Sequence, residues 1–334
     1  MEFGPLWIDQ PNWVSDPRYV AAESVQKQYL EDFVEKGYVI FKHAVPEDIV
    51  DQILADAHGI YDRPENYVLK GQGKYLDPAE LTKLNRGNRI IDLYAVSAAA
   101  RDAIMTSPVA DFLNLIFDEP PIAMQSLFFE YGSQQAIHQD TAYVVSGKPL
   151  SLAASWIALE DVTAGSGELI YYPGSHRFQH FLFSDAHKSW VQDRDGQEQH
   201  KTFLKSLHQQ ASDLGIKKDS FIAQKGDVLI WHADLAHGGS KIKNDMTRRS
   251  LVAHYCPLSV KPKYKDIIKD TYFELPHPNN GHFSCRHYDI RHVSQSKPGA
   301  LVFNGGIRQR PTPSPAPESR RSSLLARVLN RLKA

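Results

Sequence analysis

Cysteine is nearly absent from this chain. Two residues, Cys256 and Cys285, stand among 334, too few for a disulfide-stapled secreted scaffold and in keeping with a reducing compartment. No run of about 18 apolar residues occurs, so no segment reads as a membrane-spanning helix. The opening Met1-Glu2-Phe3-Gly4-Pro5-Leu6-Trp7 lacks the basic start and apolar core of a signal peptide, and a cytoplasmic location is expected. Excess charge is missing too. A net charge of −1 sets up no global field for nucleic acid, and the body of the chain holds no basic patch that would read bases. No internal repeat is visible, which argues against a solenoid or propeller. The length suits one domain over residues 1–310, with a helical part over 1–119, a barrel core over about 120–256 and an extension over 257–310.

The patterns that are present change period near residue 120. Before it, Ser15-Asp16-Pro17 opens a helix expected over Tyr19 to Lys36, ended by Gly37. A short strand follows at Tyr38-Val39-Ile40-Phe41, then a helix from Pro46 through Ile49, Ile53 and Ala57, a polar loop over 62–90, and a helix from Ser97 to Phe117. After it, strands are expected at Ile122 to Tyr131, around His138, at Leu150 to Leu159, at Glu168 to Tyr172, at Ala223, at Asp227 to His232 and at Arg249 to Cys256. A helix near Lys201 to Leu214 interrupts them. Short strands joined by Gly and Pro turns predict a mainly β protein with flanking helices, a jelly roll of the cupin-like, double-stranded β-helix kind.

The stretch Ala136-Ile137-His138-Gln139-Asp140-Thr141-Ala142-Tyr143 carries the chemistry. On a strand, His138 and Asp140 would leave the same face, an imidazole nitrogen beside a carboxylate oxygen. A further His brought close by the fold would complete a 2-His-1-carboxylate set, which caps one face of Fe(II) and leaves three positions open. The candidate is His237, in Trp231-His232-Ala233-Asp234-Leu235-Ala236-His237-Gly238-Gly239. Two neutral imidazoles and one carboxylate leave bound Fe(II) at net charge +1, with room for a bidentate 2-oxo acid and dioxygen.

His138-Gln139-Asp140, Trp156 eighteen residues beyond His138, Gly165-Ser166-Gly167 before a strand ending in Pro173-Gly174-Ser175-His176, then His237-Gly238-Gly239-Ser240 and Arg248, form an ordered series. Over roughly residues 30–256 it resembles the phytanoyl-CoA dioxygenase family, Fe(II)- and 2-oxoglutarate-dependent oxygenases on a double-stranded β-helix. The resemblance implies His138, Asp140 and His237 as iron ligands, and Arg248 as the residue holding the distal carboxylate of 2-oxoglutarate. It also places Trp156, Ser240, Gln125 and Lys83 at cosubstrate contacts. A guanidinium pairs with a carboxylate through two parallel hydrogen bonds and keeps its charge, which suits that role. Arg248 and Arg249 are adjacent, so one alone can point inward. Alternation is silent between them, because Ser250, Val252 and His254 share the face of Arg248 while Leu251, Ala253 and Tyr255 share that of Arg249.

The expected function is hydroxylation of an unactivated carbon of a small-molecule, lipid or glycan substrate, with dioxygen and 2-oxoglutarate consumed and succinate and CO2 released. Asp140 favours this over halogenation, which would need Ala or Gly there to admit a halide. The competing class is a non-redox, metal-binding cupin-type isomerase or binding module, which has no need of Arg248. Trp156 can also be read as core, His176 as a brace for its turn, and His232 as a support for the site. The cluster His282, Cys285, His287 and His292 lacks the second Cys or regular ligand pair of a structural zinc site and reads as a polar loop over the pocket. Residues 311–334 are a Pro-rich linker and a basic tail with Leu324, Leu325, Val328, Leu329 and Leu332 on one helical face. Over 319–334 that tail suits either an anionic membrane surface or a protein partner.

Overall fold

The computed structural model describes residues 3–62, 64, 67–71, 74–76, 88–263, 274–288 and 290. Its helices are α1 Pro17–Ala21, α2 Ser24–Lys36, α3 Glu47–Asp62, α4 Ala98–Ile104, α5 Ser107–Phe117 and α6 Gln192–Asp213. Its strands are β1 Tyr38–Phe41, β2 Leu69–Gly71, β3 Lys74–Tyr75, β4 Asn88–Ile91, β5 Pro121–Phe129, β6 Ala153–Ala158, β7 Leu169–Tyr171, β8 Asp219–Phe221, β9 Val228–His232, β10 His237–Gly239, β11 Ser250–Pro257, β12 Leu275–His277 and β13 Gly281–Phe283.

Local chemistry corrects several of the expected boundaries. The helix expected over 19–36 is two, because Ala22 and Glu23 are extended and Glu23 starts α2 afresh, donating its backbone N–H to the Gln26 side chain at 3.0 Å. Gly37 ends α2 at φ 81, the left-handed cap that glycine accepts without strain. The helix expected over 97–117 breaks at Met105 and Thr106, where Pro108 in the first turn of α5 favours a new start. The polar loop expected over 62–90 contains β2, β3 and β4, which pair onward to β5. Such short strands are specified by their partner across the ladder, and no local period announces them. The helix near 201–214 begins earlier, at Gln192, with a kink at Gly196.

The result is the jelly roll. The large sheet runs β1-β9-β6-β11-β5-β4-β2-β3, with β13 joining β5 in parallel and β12 beyond it, and the small sheet runs β10-β7-β8. Both faces of the large sheet are covered. Ile157 of β6, Val228 and Ile230 of β9, and Leu251, Ala253 and Tyr255 of β11 share one core with α2 to α5. Ala154 and Trp156, Leu229 and Trp231, and Val252 turn the other way to meet Leu169, Tyr171 and Phe221 of the small sheet. Burying each of the larger of these side chains contributes about 1.5–3 kcal/mol. A third cluster, Phe178, Phe183, Phe203, Leu207 and Ala211, seats α6 against Ile137 and Tyr172. Among the described residues no helix is long and apolar enough to cross a membrane. Lys83, His292 and the tail over 311–334 lie outside the described residues.

Candidate metal centre

His138 and His237 face each other across an isolated antiparallel bridge, each backbone N–H donating to the other's carbonyl at 2.9 Å. Residues opposed in that way project their side chains to the same side, which sets the ring centroids 4.5 Å apart. Gly238 makes the close approach possible, since a Cβ there would lie 2.7 Å from the Gln135 carbonyl oxygen. The strand expected around His138 is reduced to this bridge. Asp140 begins a 3-10 turn over Asp140–Ala142, anchored by its N–H on the Ala233 carbonyl at 3.1 Å. The carboxylate therefore reaches the imidazoles through a turn, not through the two-residue repeat of a strand. The ligand atoms of His138, Asp140 and His237, all buried, lie within 4.8 Å of one another, the one such group among the described residues.

Surrounding atoms aim these three. Nδ1 of His138 bonds the Ala136 carbonyl at 2.8 Å and Nδ1 of His237 the Leu235 carbonyl at 2.9 Å. Each ring's N–H is thereby directed outward, and its Nε2 lone pair inward. Nε2 of His138 is 3.6 Å, and Nε2 of His237 3.7 Å, from Oδ1 of Asp140. The second oxygen, Oδ2, accepts the Trp231 indole N–H at 2.8 Å and lies 3.5 Å from Nε2 of His254. Burial would raise the Asp140 carboxyl, but His237, His254 and His138 hold it well below the usual range. Burial pushes His237 down to about 4, against the pull of Asp140. An ionised carboxylate beside a neutral imidazole is the donor state a divalent metal requires.

The cavity around these atoms has a volume of about 400 Å³, and Gln125, Trp156 and Arg248 line it. Arg248 is 2 % exposed, donates to the Ser250 hydroxyl at 3.0 Å, and holds its guanidinium 5.4 Å from the Trp156 ring centroid and 5.6 Å from that of Phe129. No carboxylate among the described residues pairs with it, and its Nε has no hydrogen-bond partner. Burial brings Arg248 down to about 10, against Glu160, so it remains a cation at neutral pH. Arg249 points the other way, to Glu130 at 2.8 Å and Glu160 at 3.4 Å. The indole N–H of Trp156 is buried and also without a partner.

Other candidates fall away from the cavity. Ser240 is not in its lining; its backbone N–H donates to the Glu168 carbonyl at 2.9 Å. His232 lies 3.4 Å from Asp9 and accepts the Asp234 N–H, with no contact to Asp140. His176 braces its turn on the Val34 carbonyl at 3.1 Å. Cys285 and His287 both reach Asp92, at 3.3 and 2.8 Å, and His287 also lines the cavity. The sequence reading missed Trp231, His254 and Arg89 as cavity residues. Only His254 carried a signal, sharing the alternation of Arg248, Ser250 and Val252.

Fold and side chains together define a class, a jelly roll with a 2-His-1-carboxylate metal site. Residues 33–250, well over half of the chain, match the family described as phytanoyl-CoA dioxygenase, and the chain belongs to that family. The phytanoyl-CoA dioxygenase domain-containing protein 1 of Bos taurus is 23% identical over 194 residues, 57% of this chain and 62% of that protein. The chain thus spans somewhat under two thirds of that relative. Among solved structures, the epimerase SnoN in complex with Fe3+, alpha ketoglutarate and nogalamycin RO superposes with a TM-score of 0.55 at 16% identity, over 86% of this chain and 96% of that one. EctD from S. alaskensis with 2-oxoglutarate and 5-hydroxyectoine does so at 0.53 and 19%, over 77% and 82%. At these identities the likeness is one of fold.

Proposed function

We propose that this chain is an Fe(II)- and 2-oxoglutarate-dependent oxygenase that hydroxylates an unactivated carbon of a small-molecule substrate. One observation carries the reading: a buried guanidinium with no carboxylate partner among the described residues shares a cavity with a buried His-Asp-His set. An uncompensated buried cation is costly, and a dicarboxylate that chelates a metal at one end and meets Arg248 at the other removes that cost. The donor set fits the metal as well, with two imidazole lone pairs and one carboxylate oxygen converging and open space on the remaining side.

In this reading His138, Asp140 and His237 hold the metal and Arg248 holds the distal carboxylate of 2-oxoglutarate. The buried indole N–H of Trp156 and the amide of Gln125 orient the cosubstrate between them. When bound, iron with 2-oxoglutarate supplies the power to insert one atom of dioxygen into a C–H bond, while the other atom ends in succinate as CO2 is lost. The chain's part is positional. Trp231 keeps Oδ2 of Asp140 turned away so that Oδ1 faces the imidazoles, and the aromatic walls formed by Phe129, Trp156 and Trp231 exclude bulk water from the reacting centre. Asp140, where a halogenase needs a residue without a ligand atom, favours hydroxyl transfer.

The test is iron- and dioxygen-dependent conversion of 2-oxoglutarate to succinate, stimulated by one member of a metabolite panel and absent from Asp140→Ala. Iron binding without any 2-oxoglutarate binding or consumption, and indifference to Arg248→Ala, would replace this reading with a non-redox cupin-type protein.

A further inference from the structure

A row of aromatic rings leads from the metal ligands to the surface. The His138 ring meets Tyr143 edge-on with 5.5 Å between centroids, Tyr143 meets His200 of α6 at 5.8 Å, and His200 lies against Trp190 at 4.5 Å with 35° between the planes. His138 is buried and Tyr143 is 39% exposed, so the row crosses the mouth of the cavity, whose lining includes Tyr143 and Val144. Among the described residues Tyr143 is the one aromatic in the set of exposed large hydrophobic side chains, and Val191, next to Trp190, is exposed as well.

These rings are held still. The Tyr143 hydroxyl lies 2.7 Å from Nε2 of His200, which fixes the plane of the phenol. The backbone N–H of Tyr143 donates to the Asp140 carbonyl at 2.8 Å, and that of Trp190 to the Ala142 carbonyl at 3.0 Å. The Trp190 indole N–H donates to the carbonyl of Gly196, where α6 kinks, at 3.0 Å. Burial raises Tyr143 to about 12, and burial with His138 nearby lowers His200, so the three outer rings carry no charge at neutral pH. A fixed, uncharged aromatic surface loses little side-chain freedom when something settles on it. Here that surface is continuous with the cavity.

We propose that Tyr143, pinned by His200 and flanked by Trp190, is a platform on which a flat, unsaturated ring of the substrate stacks at the cavity mouth. Aromatic rings in offset or edge-to-face contact gain attraction beyond the area they bury. Tyr143 is one ring contact from His138, so the carbon acted on belongs to the stacked ring or stands close to it. The inference rests on the oxygenase reading in one respect, that the molecule entering the cavity is a substrate.

The test loads the protein with Mn(II), a paramagnetic stand-in for iron, saturates it with 2-oxoglutarate, and titrates benzyl alcohol, cyclohexylmethanol and 1-heptanol. Binding is read from the relaxation of probe protons. All three alcohols are neutral and have equal numbers of carbons, and burial alone favours the two saturated ones, which present more C–H surface. Benzyl alcohol should nevertheless bind about threefold or more tighter than either. Tyr143→Leu should abolish that preference and change 2-oxoglutarate affinity by less than about twofold, while Tyr143→Phe, which keeps the ring without the His200 contact, retains most of it. Should Tyr143→Leu not fold, Tyr143→Met serves instead. Benzyl alcohol binding no tighter than the saturated alcohols overturns the proposal. So does a loss of Mn(II) affinity in Tyr143→Leu with the ranking of the alcohols unchanged, because Tyr143 would then only support His138. If 2-oxoglutarate does not bind wild type, the oxygenase reading fails by itself, and the same ranking on the Mn(II) form without it still decides for or against the platform.

Discussion

Asp140 and Asp234 are both fully buried carboxylates on adjoining loops, and the chain treats them differently. Asp234 is closed: Lys188, itself buried, donates to it at 2.6 Å, the Thr141 hydroxyl at 2.6 Å, and His180 lies 3.6 Å away. Asp140 receives one strong hydrogen bond, from Trp231, and otherwise faces three imidazoles at 3.5–3.7 Å, with no Lys or Arg among the described residues paired to it. The first site is satisfied within the chain. The second lacks a full countercharge, as a metal site must. They are also linked, since Gln139 and Thr141, the neighbours of Asp140, both bond Asp234, Gln139 through its amide to the Asp234 carbonyl at 2.7 Å. The satisfied site holds the turn that presents the unsatisfied one.

The largest effect expected from breaking this contrast is at Asp140 itself. Asp140→Ala should cut iron affinity by well over 100-fold, beyond the 10–100-fold typical of supporting residues, and leave the metal-free melting temperature near wild type. Iron per chain by mass spectrometry with a thermal melt checks both halves.

Asp234→Asn should do the reverse, costing about 3–5 kcal/mol by stranding the Lys188 ammonium, with metal lost only as the fold loosens. Urea unfolding of the metal-free protein measures it. Burial tends to raise Asp234, but Lys188 and His232 hold it below the usual carboxylate range. A depressed carboxyl contributes stability above its unfolded value, near 3.9, and loses it as pH falls through the folded value. The gap between wild type and Asp234→Asn should accordingly narrow below about pH 4. A gap that stays constant down to acid unfolding would assign Asp234 no ionic role.

Arg248 and Arg249 repeat the contrast at smaller scale. Arg248→Ala should weaken 2-oxoglutarate binding by about tenfold or more, the 1.5–3 kcal/mol of a charged hydrogen-bonded pair. Arg249→Ala, which breaks partly exposed pairs with Glu130 and Glu160, should cost under about 1 kcal/mol of stability and leave the cosubstrate alone. Calorimetric titration of the Mn(II)-loaded variants ranks them, and the opposite order would mean that Arg249 serves the cavity.

The smallest effect sharpens the role of Trp231. Trp231→Phe keeps the ring and removes the donor to Oδ2 of Asp140, and should lower metal affinity by about tenfold without changing which residues bind. Unchanged affinity would make that hydrogen bond incidental.

The sequence by itself determined the residue types and their order: a His-x-Asp pair, a distant His before two glycines, an Arg eleven residues on, and short strands punctuated by Gly and Pro that suit a jelly roll. Those properties are local, written in side-chain chemistry and in backbone freedoms such as that of Gly37. Tertiary structure decided how the parts meet. Asp140 reaches the imidazoles from a turn that Asp234 and Ala233 hold, and no short-range pattern encodes a turn anchored almost a hundred residues away. Arg248 faces inward because helices cover the Leu251, Ala253 and Tyr255 face of β11 and the cavity takes the other. With both faces buried, the alternation of polar and apolar residues has nothing to distinguish. Arg89 joins Arg248 on one phenylalanine ring because strands far apart in the chain lie in one sheet, and only the register between them brings that second charge into the cavity.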